Sequence, residues 1–212
     1  MTDVLRRAGT RLVNALRRGL SWLLPYRPMA GGDERLDREY RDGVWDYLRD
    51  LGELSRFSVI VGYCHHLKPQ GEILEIGCGE GLLHSRLDQA RFARYLGTDI
   101  SAAAIHRATQ RVDGKSGFVV ADAVTFSPQG TFDVIVFNEC LEYFSDPAGL
   151  VRRYRAFLKP DGVYIVSMFV GLDTARTERI WRMLAPGYRV TSLTRVTNDE
   201  GFAWVIKVLT PT

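Results

Sequence analysis

Between residues 72 and 81 an apolar run, Ile73-Leu74-Glu75-Ile76, stops in Gly77-Cys78-Gly79-Glu80-Gly81, where every second residue is glycine. The run has the character of a short parallel strand buried on both faces. The glycines after it serve two physical ends: they accept backbone angles closed to other residues, and they let a ligand approach the main chain unobstructed. A helix is expected from about Leu82, whose first N–H groups would face a carboxylate or a phosphate. A ligand pocket is one reading of this turn. A tight structural turn is the other, and the chemistry of the later strand ends has to decide between them.

Three further strands are expected to end in polar chemistry. Residues 94–99 close on Asp99, residues 118–121 on Asp122, and residues 132–137 on Asn138-Glu139. Helical stretches at 101–108, 147–158 and 174–184 separate these strands from each other and from later strands at 163–169, 188–195 and 202–209. Ser101 is a plausible N-cap, and 197–201 suits a hairpin loop. Strand alternating with helix predicts an α/β, doubly wound sheet, mostly parallel, with helices on both faces and an antiparallel edge. In such a sheet the ligand lies outside the carboxyl ends of the strands, where strand order reverses. Four strand ends converging there matter more than any one. Asp99, 22 positions after Gly77, stands where an acid accepts both hydroxyls of a ribose in a dinucleotide-binding arrangement.

The spacing of the turn, Gly-x-Gly-x-Gly, differs from the G-x-G-x-x-G of nicotinamide cofactor binders. With Glu75 before it, the segment resembles the first motif of the class I S-adenosylmethionine-dependent methyltransferases. The resemblance covers residues 72–209, about two thirds of the chain, through LEIGCGEG (74–81), GTDIS (97–101), ADA (121–123), FDVIVFNECLEYF (132–144) and LKPDGVYIVSMF (158–169), in that order. It implies a Rossmann-like seven-stranded sheet with an antiparallel last strand. It implies S-adenosyl-L-methionine as cofactor, with Glu75, Gly77, Cys78, Gly79 and Gly81 at its methionyl part, Asp99 and Ile100 at ribose and adenine, Asp122 and Ala123 at the adenine edge, and Asn138 beside the methionyl group. Glu139, Glu142 and Tyr143 then face the methyl acceptor as candidates for a proton-accepting or acceptor-binding role. Relatives often carry a histidine where this chain has Tyr143, so a histidine base is not expected here.

The chain divides into a basic N-terminal segment (1–30), a helical lid segment (31–70), with helices expected over 33–50 and 54–67, and the cofactor-binding domain (71–212). Residues 4–24 keep apolar residues at helical spacing with Arg7, Arg11 and Arg18 on the other side, and Pro25, Pro28, Gly31 and Gly32 break the pattern. Such a helix suits a membrane interface, packing on the body or a second subunit, or organelle targeting. The first thirty residues hold six arginines against one acid, so with a whole-chain net charge of +3 the remainder is slightly acidic and is no nucleic-acid platform. In the lid, Tyr40, Trp45 and Arg56 are the candidates for substrate contact, with packing the alternative for the aromatics. Cys64, Cys78 and Cys140 lack metal or disulfide spacing, so reduced thiols and a cytoplasmic setting are expected, with no metal. The histidines, on expected helices, read as packing or surface residues.

The expected activity is methyl transfer to an oxygen or nitrogen of a small or medium metabolite, by a monomer or homodimer. The competing functions are a non-catalytic cofactor-binding or membrane-tethered subunit and a nicotinamide-dependent oxidoreductase, which the glycine spacing and the lack of a Tyr-x-x-x-Lys pair disfavour.

Overall fold

The computed structural model describes residues 34–110, 113–170 and 174–212. The expected basic helix at 4–24, its linker and the first residues of the lid segment lie outside the described residues. Seven strands form one sheet: β1 (Gly71–Ile76), β2 (Phe92–Asp99), β3 (Ser116–Val120), β4 (Phe132–Asn138), β5 (Leu158–Val170), β6 (Tyr188–Thr197) and β7 (Ala203–Pro211). Their order is β3-β2-β1-β4-β5-β7-β6. Pairing is parallel from β3 through β5, and β7 enters antiparallel between β5 and β6. Order therefore reverses between β1 and β4, the place where an open α/β sheet leaves a crevice.

Alternation along β1 sorts the core into two layers. Leu74 and Ile76 join Ile135, Phe137 and Tyr164 on one face. Ile73 joins Val134, Val136 and Ile165 on the other. The helices are α1 (Glu34–Arg41), α2 (Leu51–Leu67), α3 (Ala102–Thr109), α4 (Pro147–Arg153) and α5 (Thr174–Leu184). Phe57, Ile60 and Cys64 form a seam at helical spacing that packs α2 on the second face, while Leu150 and Val151 of α4 and Ile180 and Leu184 of α5 cover the first. Each fully buried side chain of this size stabilises the fold by about 1.5–3 kcal/mol. Start signals agree with the sequence: Ser101 Oγ accepts from the Ala104 N–H at 3.1 Å, and Asp146 caps α4 with Pro147 at its first position.

Two expectations about helices are corrected. A single helix over 33–50 is replaced by α1, a turn at Gly43 with φ +72°, and one 3-10 turn at Asp46–Arg49. The left-handed glycine terminates the first helix. The α-helix expected over 82–89 is absent, and that stretch holds turns, a 3-10 turn at His84–Arg86 and the start of another at Gln89–Arg91. Tertiary packing overrides local propensity there: the His84 ring sits 4.7 Å from Tyr95, 5.4 Å from Phe118 and 6.0 Å from Phe92, and its Nε2 meets Ser116 Oγ at 2.7 Å. The glycine turn thus leads into packed loop and not into a helix N-terminus. Among the described residues no helix is long and apolar enough to cross a membrane.

Candidate active site

At the carboxyl end of β1 the main chain forms the floor of a cavity of about 280 Å³. Gly77 and Gly79 have φ of +72° and +52°, values that L side chains rarely adopt. Space demands glycine as strongly as angle does. A Cβ on Gly77 would lie 2.8 Å from Cys140 Cβ, and one on Gly79 would lie 2.8 Å from the hydroxyl of Tyr40, which reaches over the loop from α1. Gly81 is different. Its φ is also +72°, but a Cβ there would meet Phe118 and Ala108, and the residue does not line the cavity. Gly81 packs the turn against β3 and α3.

Asp99 ends β2 and ties the loop down. Its Oδ2 accepts from the Gly79 N–H at 2.9 Å and its Oδ1 from the Ser101 N–H at 2.9 Å. Burial raises its pKa, against the pull of these backbone donors. A carboxylate offers about four acceptor positions, so two bonds to the main chain leave capacity toward the cavity. Next to it, Thr98 lines the cavity at 1% exposure, and its buried hydroxyl has no hydrogen-bond partner. Ile100, Asp122 and Ala123 continue the wall. Asp122 Oδ1 accepts from the Val124 N–H at 2.9 Å, and the Ala123 carbonyl accepts from the Tyr154 hydroxyl.

Glu75 lies under the floor, on the face covered by α2. Burial pushes its carboxyl up to about 8, opposed by hydrogen bonds from Tyr95 and Asn138 and by the nearby Arg56 charge. The thiols of Cys78 and Cys140 are likewise driven well above their ordinary value by burial, so neither is a nucleophile near neutrality.

The β4 side is built from charged side chains. Arg56, 2% exposed on α2, donates from Nε to Glu53 at 3.0 Å and from Nη1 to Asn138 Oδ1 at 2.6 Å. Glu139 occupies the left-handed region at φ +57°, an uncommon conformation for a residue with a side chain. Its Oε1 accepts from Ser167 Oγ at 2.5 Å. Burial raises Glu139, and burial followed by repulsion from Glu139 pushes Glu142 up to about 7, with Arg176 pulling the other way. Tyr143 is raised far out of reach of neutral pH, by burial and then by the Glu142 charge.

Every site residue expected from the sequence other than Gly81 lines this one cavity, the lid residues Tyr40, Trp45 and Arg56 among them. Sequence reasoning missed several positions. Tyr95 and Ser167 hold Glu75 and Glu139, and Glu53 pairs with Arg56. Asp37 of α1 accepts from Ser101 Oγ at 2.6 Å and from the Ala103 N–H at 3.1 Å, pinning the lid to the start of α3. Glu80, 1% exposed, pairs with Arg49 at 2.6 Å. The signal available for Asp37 and Glu80 was an acid facing an expected helix start or an arginine, which is too common to single out.

A family model described as a methyltransferase domain matches residues 37–205, most of the chain. The chain belongs to this methyltransferase-domain family. Among curated proteins it is 35% identical over 114 residues to trans-aconitate 2-methyltransferase of Methylobacterium radiotolerans, covering 53% of this chain and 43% of that one. It is 32% identical over 117 residues to the mitochondrial arginine-hydroxylase NDUFAF5 of Mus musculus, covering 50% and 34%. The chain thus spans less than half the length of these curated relatives. Among solved structures, the N-methyltransferase NodS from Bradyrhizobium japonicum WM9 in complex with S-adenosyl-L-homocysteine superposes with a TM-score of 0.72 at 20% identity, covering 86% of this chain and 100% of that one. At that identity the likeness is one of fold. A hydroxylase among the relatives of a methyltransferase-domain protein means that the site has to argue for the reaction.

Proposed function

We propose that this protein is a class I S-adenosylmethionine-dependent methyltransferase that transfers a methyl group to an oxygen or nitrogen of a small or medium metabolite. The observation that carries the reading is the Asp99 carboxylate. It is bonded to the loop N–H of Gly79, so it organises the side-chain-free floor, and it faces the same cavity that the floor lines. The residues present fit the cofactor on three further grounds. Gly77 and Gly79 line the cavity without side chains, the Thr98 hydroxyl is buried in the wall without a partner, and buried acids surround a site that would receive a cation.

Asp99 would hold the ribose hydroxyls, Asp122 and Ala123 the adenine edge, and Glu75, Asn138 and the glycine loop the methionyl end. When bound, the cofactor supplies a methyl group activated by a positively charged sulfur. The protein's own work is then alignment, exclusion of water and acceptance of a proton. Tyr40 and Trp45, 5.9 Å apart between ring centres, roof the cavity against solvent. Arg56 fixes the orientation of Asn138 from α2. Glu142, with a carboxyl displaced toward neutrality, is placed to take a proton from the acceptor, with Glu139 beside it.

Titration calorimetry with S-adenosylhomocysteine and with NADH tests this reading. The expected outcome is heat of binding from the first ligand alone. Binding of NADH without binding of S-adenosylhomocysteine would reject methyl transfer in favour of an oxidoreductase. A screen for labelled methyl transfer to pooled metabolites then separates an enzyme from a cofactor-binding subunit.

A further inference from the structure

The acceptor side of the cavity carries more acid than its own basic side chains neutralise. Glu53, Glu139 and Glu142 all line it, and the one basic side chain lining it among the described residues is Arg56. That guanidinium is engaged with Glu53 and Asn138. It moderates Glu139 only through its field, and the hydrogen bond that Glu139 receives comes from the neutral hydroxyl of Ser167. Arg176 acts on Glu142 from outside the cavity and donates to its backbone carbonyl. Two carboxylates that repel each other are thus held beside one ligand space by burial, by a strained backbone at Glu139 and by a neutral donor.

The same lining is aromatic. Trp45 and Tyr47 stand 6.2 Å apart between ring centres, and Tyr143 lies close enough to Glu142 and Glu139 to feel their charge. Trp45, Tyr47, Tyr143 and Phe144 line the same space. Ring faces and carboxylates attract the same kind of group, a cation attached to an apolar body. A carboxylate acceptor would meet like charge from the acids and the negative ring faces of the aromatics. An alcohol would use one acid as a base and leave the second without a role.

We propose that the methyl acceptor is an amine: a primary or secondary ammonium on an apolar or aromatic body, held between Glu139 and Glu142 and methylated at that nitrogen. The inference rests on the methyltransferase reading above and narrows it to N-methylation of a cation. The ammonium first gives one proton to the Glu142 carboxylate, which becomes the neutral acid. The lone pair so freed forms the nitrogen–carbon bond while the carbon–sulfur bond breaks with its electron pair remaining on sulfur. The product nitrogen keeps the positive charge that the sulfur loses, and the Glu142 proton leaves to solvent.

The experiment uses the full chain saturated with S-adenosylhomocysteine and titrates it with three compounds of one shape: phenethylamine, 2-phenylethanol and phenylacetate. The amine is expected to bind at least about tenfold more tightly than the alcohol, with phenylacetate weakest, as charge complementarity in a desolvated site requires. The double variant Glu139→Gln/Glu142→Gln should lose at least about tenfold of the amine affinity, with affinity for S-adenosylhomocysteine within about twofold of wild type, since the acids act on the acceptor. Glu142→Gln alone serves where the double variant does not bind S-adenosylhomocysteine, and it should weaken the amine and not the alcohol. Equal or tighter binding of the alcohol or carboxylate, no binding of the amine, or an unchanged amine affinity in the variants would each overturn the proposal. If wild type binds no S-adenosylhomocysteine, the methyltransferase reading falls and this one with it. If it does bind and the amine is not preferred, the acceptor class alone falls.

Discussion

At the β1–β2 end of the cavity the contacts come from the main chain, whereas at the β4–β5 end they come from long charged side chains. Gly77 and Gly79 line the cavity with main chain, and their own N–H groups are tied back, to the Thr98 carbonyl and to the Asp99 carboxylate. Arg56, Glu53, Glu139 and Glu142 present charge carried on flexible stems and positioned by one another. A surface made of main chain tolerates almost no substitution, because a new Cβ on Gly77 or Gly79 collides with Cys140 or Tyr40 and sits at a positive φ. A surface made of side chains keeps its shape through many exchanges and changes what it selects. A shared cofactor suits the first and a private acceptor suits the second.

The sharpest way to break this comparison is Asp99→Ala. It removes the acceptor for two backbone donors as well as the group proposed to hold the ribose. Affinity for S-adenosylhomocysteine should fall by about 100-fold or more, the weight of roughly two charge-assisted hydrogen bonds at about 1.5–3 kcal/mol each. Calorimetry reads this directly. A change below threefold would take Asp99 out of the site and make the β1–β2 floor a structural turn after all.

The other half should respond in stability before it responds in binding. Arg56→Ala leaves Glu53, 5% exposed, buried beside an empty position. Breaking a buried pair from one side costs about 3 kcal/mol, whereas replacing both partners by apolar groups of similar size is often neutral. Urea denaturation should therefore show a large loss for Arg56→Ala and a much smaller one for Arg56→Met with Glu53→Leu. Equal losses in the two variants would mean that the helix packing of α2, and not the ion pair, holds this wall.

The same contrast explains what the sequence displayed. Backbone recognition leaves a local trace, because the glycines after β1, the acid that ends β2 and the acid after β3 must stand at fixed places relative to strand ends. Alternation of strands and helices made the sheet legible for a similar reason, down to the antiparallel β7. Side-chain recognition leaves none: Arg56 meets Asn138 across 82 positions of sequence, and Ser167 faces Glu139 only because β4 and β5 pair with Asn138 opposite Ser167. The helix expected after the glycine turn failed likewise, since the aromatic box around His84 is assembled from β2 and β3, which no window over 82–89 contains. Spacing groups Gly81 with Gly77 and Gly79, and its packing against Phe118 and Ala108 is a long-range contact that spacing does not reveal.

Glu75 lies where the two halves meet, and pH probes it. Its carboxyl is raised from 4.5 to about 8, so the native state holds a proton that the unfolded chain has lost across that interval. Its contribution is fully present below about pH 4.5 and is lost as pH rises through 8, with a slope of at most about 1.4 kcal/mol per pH unit. Glu75→Gln keeps a neutral hydrogen-bonding group there. Stability of that variant, measured by urea at pH 5, 6, 7 and 8, should be flatter than wild type. A steeper decline in the variant would reverse the sign and show that the charged form is the native one. Glu142, at about 7, adds a contribution of the same sign, so the comparison is between variant and wild type and not against a flat line.

The smallest effect belongs to the lid. Asp37 bonds Ser101 Oγ and the Ala103 N–H, so it acts as a second cap on α3 from a helix that also carries Tyr40 over Gly79. Loss of a cap costs about 1 kcal/mol, and Ser101 remains to cap Ala104, so Asp37→Ala should lower stability by that amount or less. The lid is nevertheless the piece that joins the two halves, since Tyr40 belongs to the floor's ceiling and Trp45 to the acceptor wall. A loosened α1 should therefore weaken S-adenosylhomocysteine by a few fold, about 1 kcal/mol, through the fraction of molecules with Tyr40 in place. Dissociation rates from stopped-flow should carry most of that change, because an unlatched lid opens more often while the open pocket still binds at the same rate. If the loss sits in association instead, α1 shapes the pocket before the cofactor arrives and the two halves are assembled together. If neither rate moves, the Asp37 contacts belong to α3 alone, and the floor closes without help from the lid.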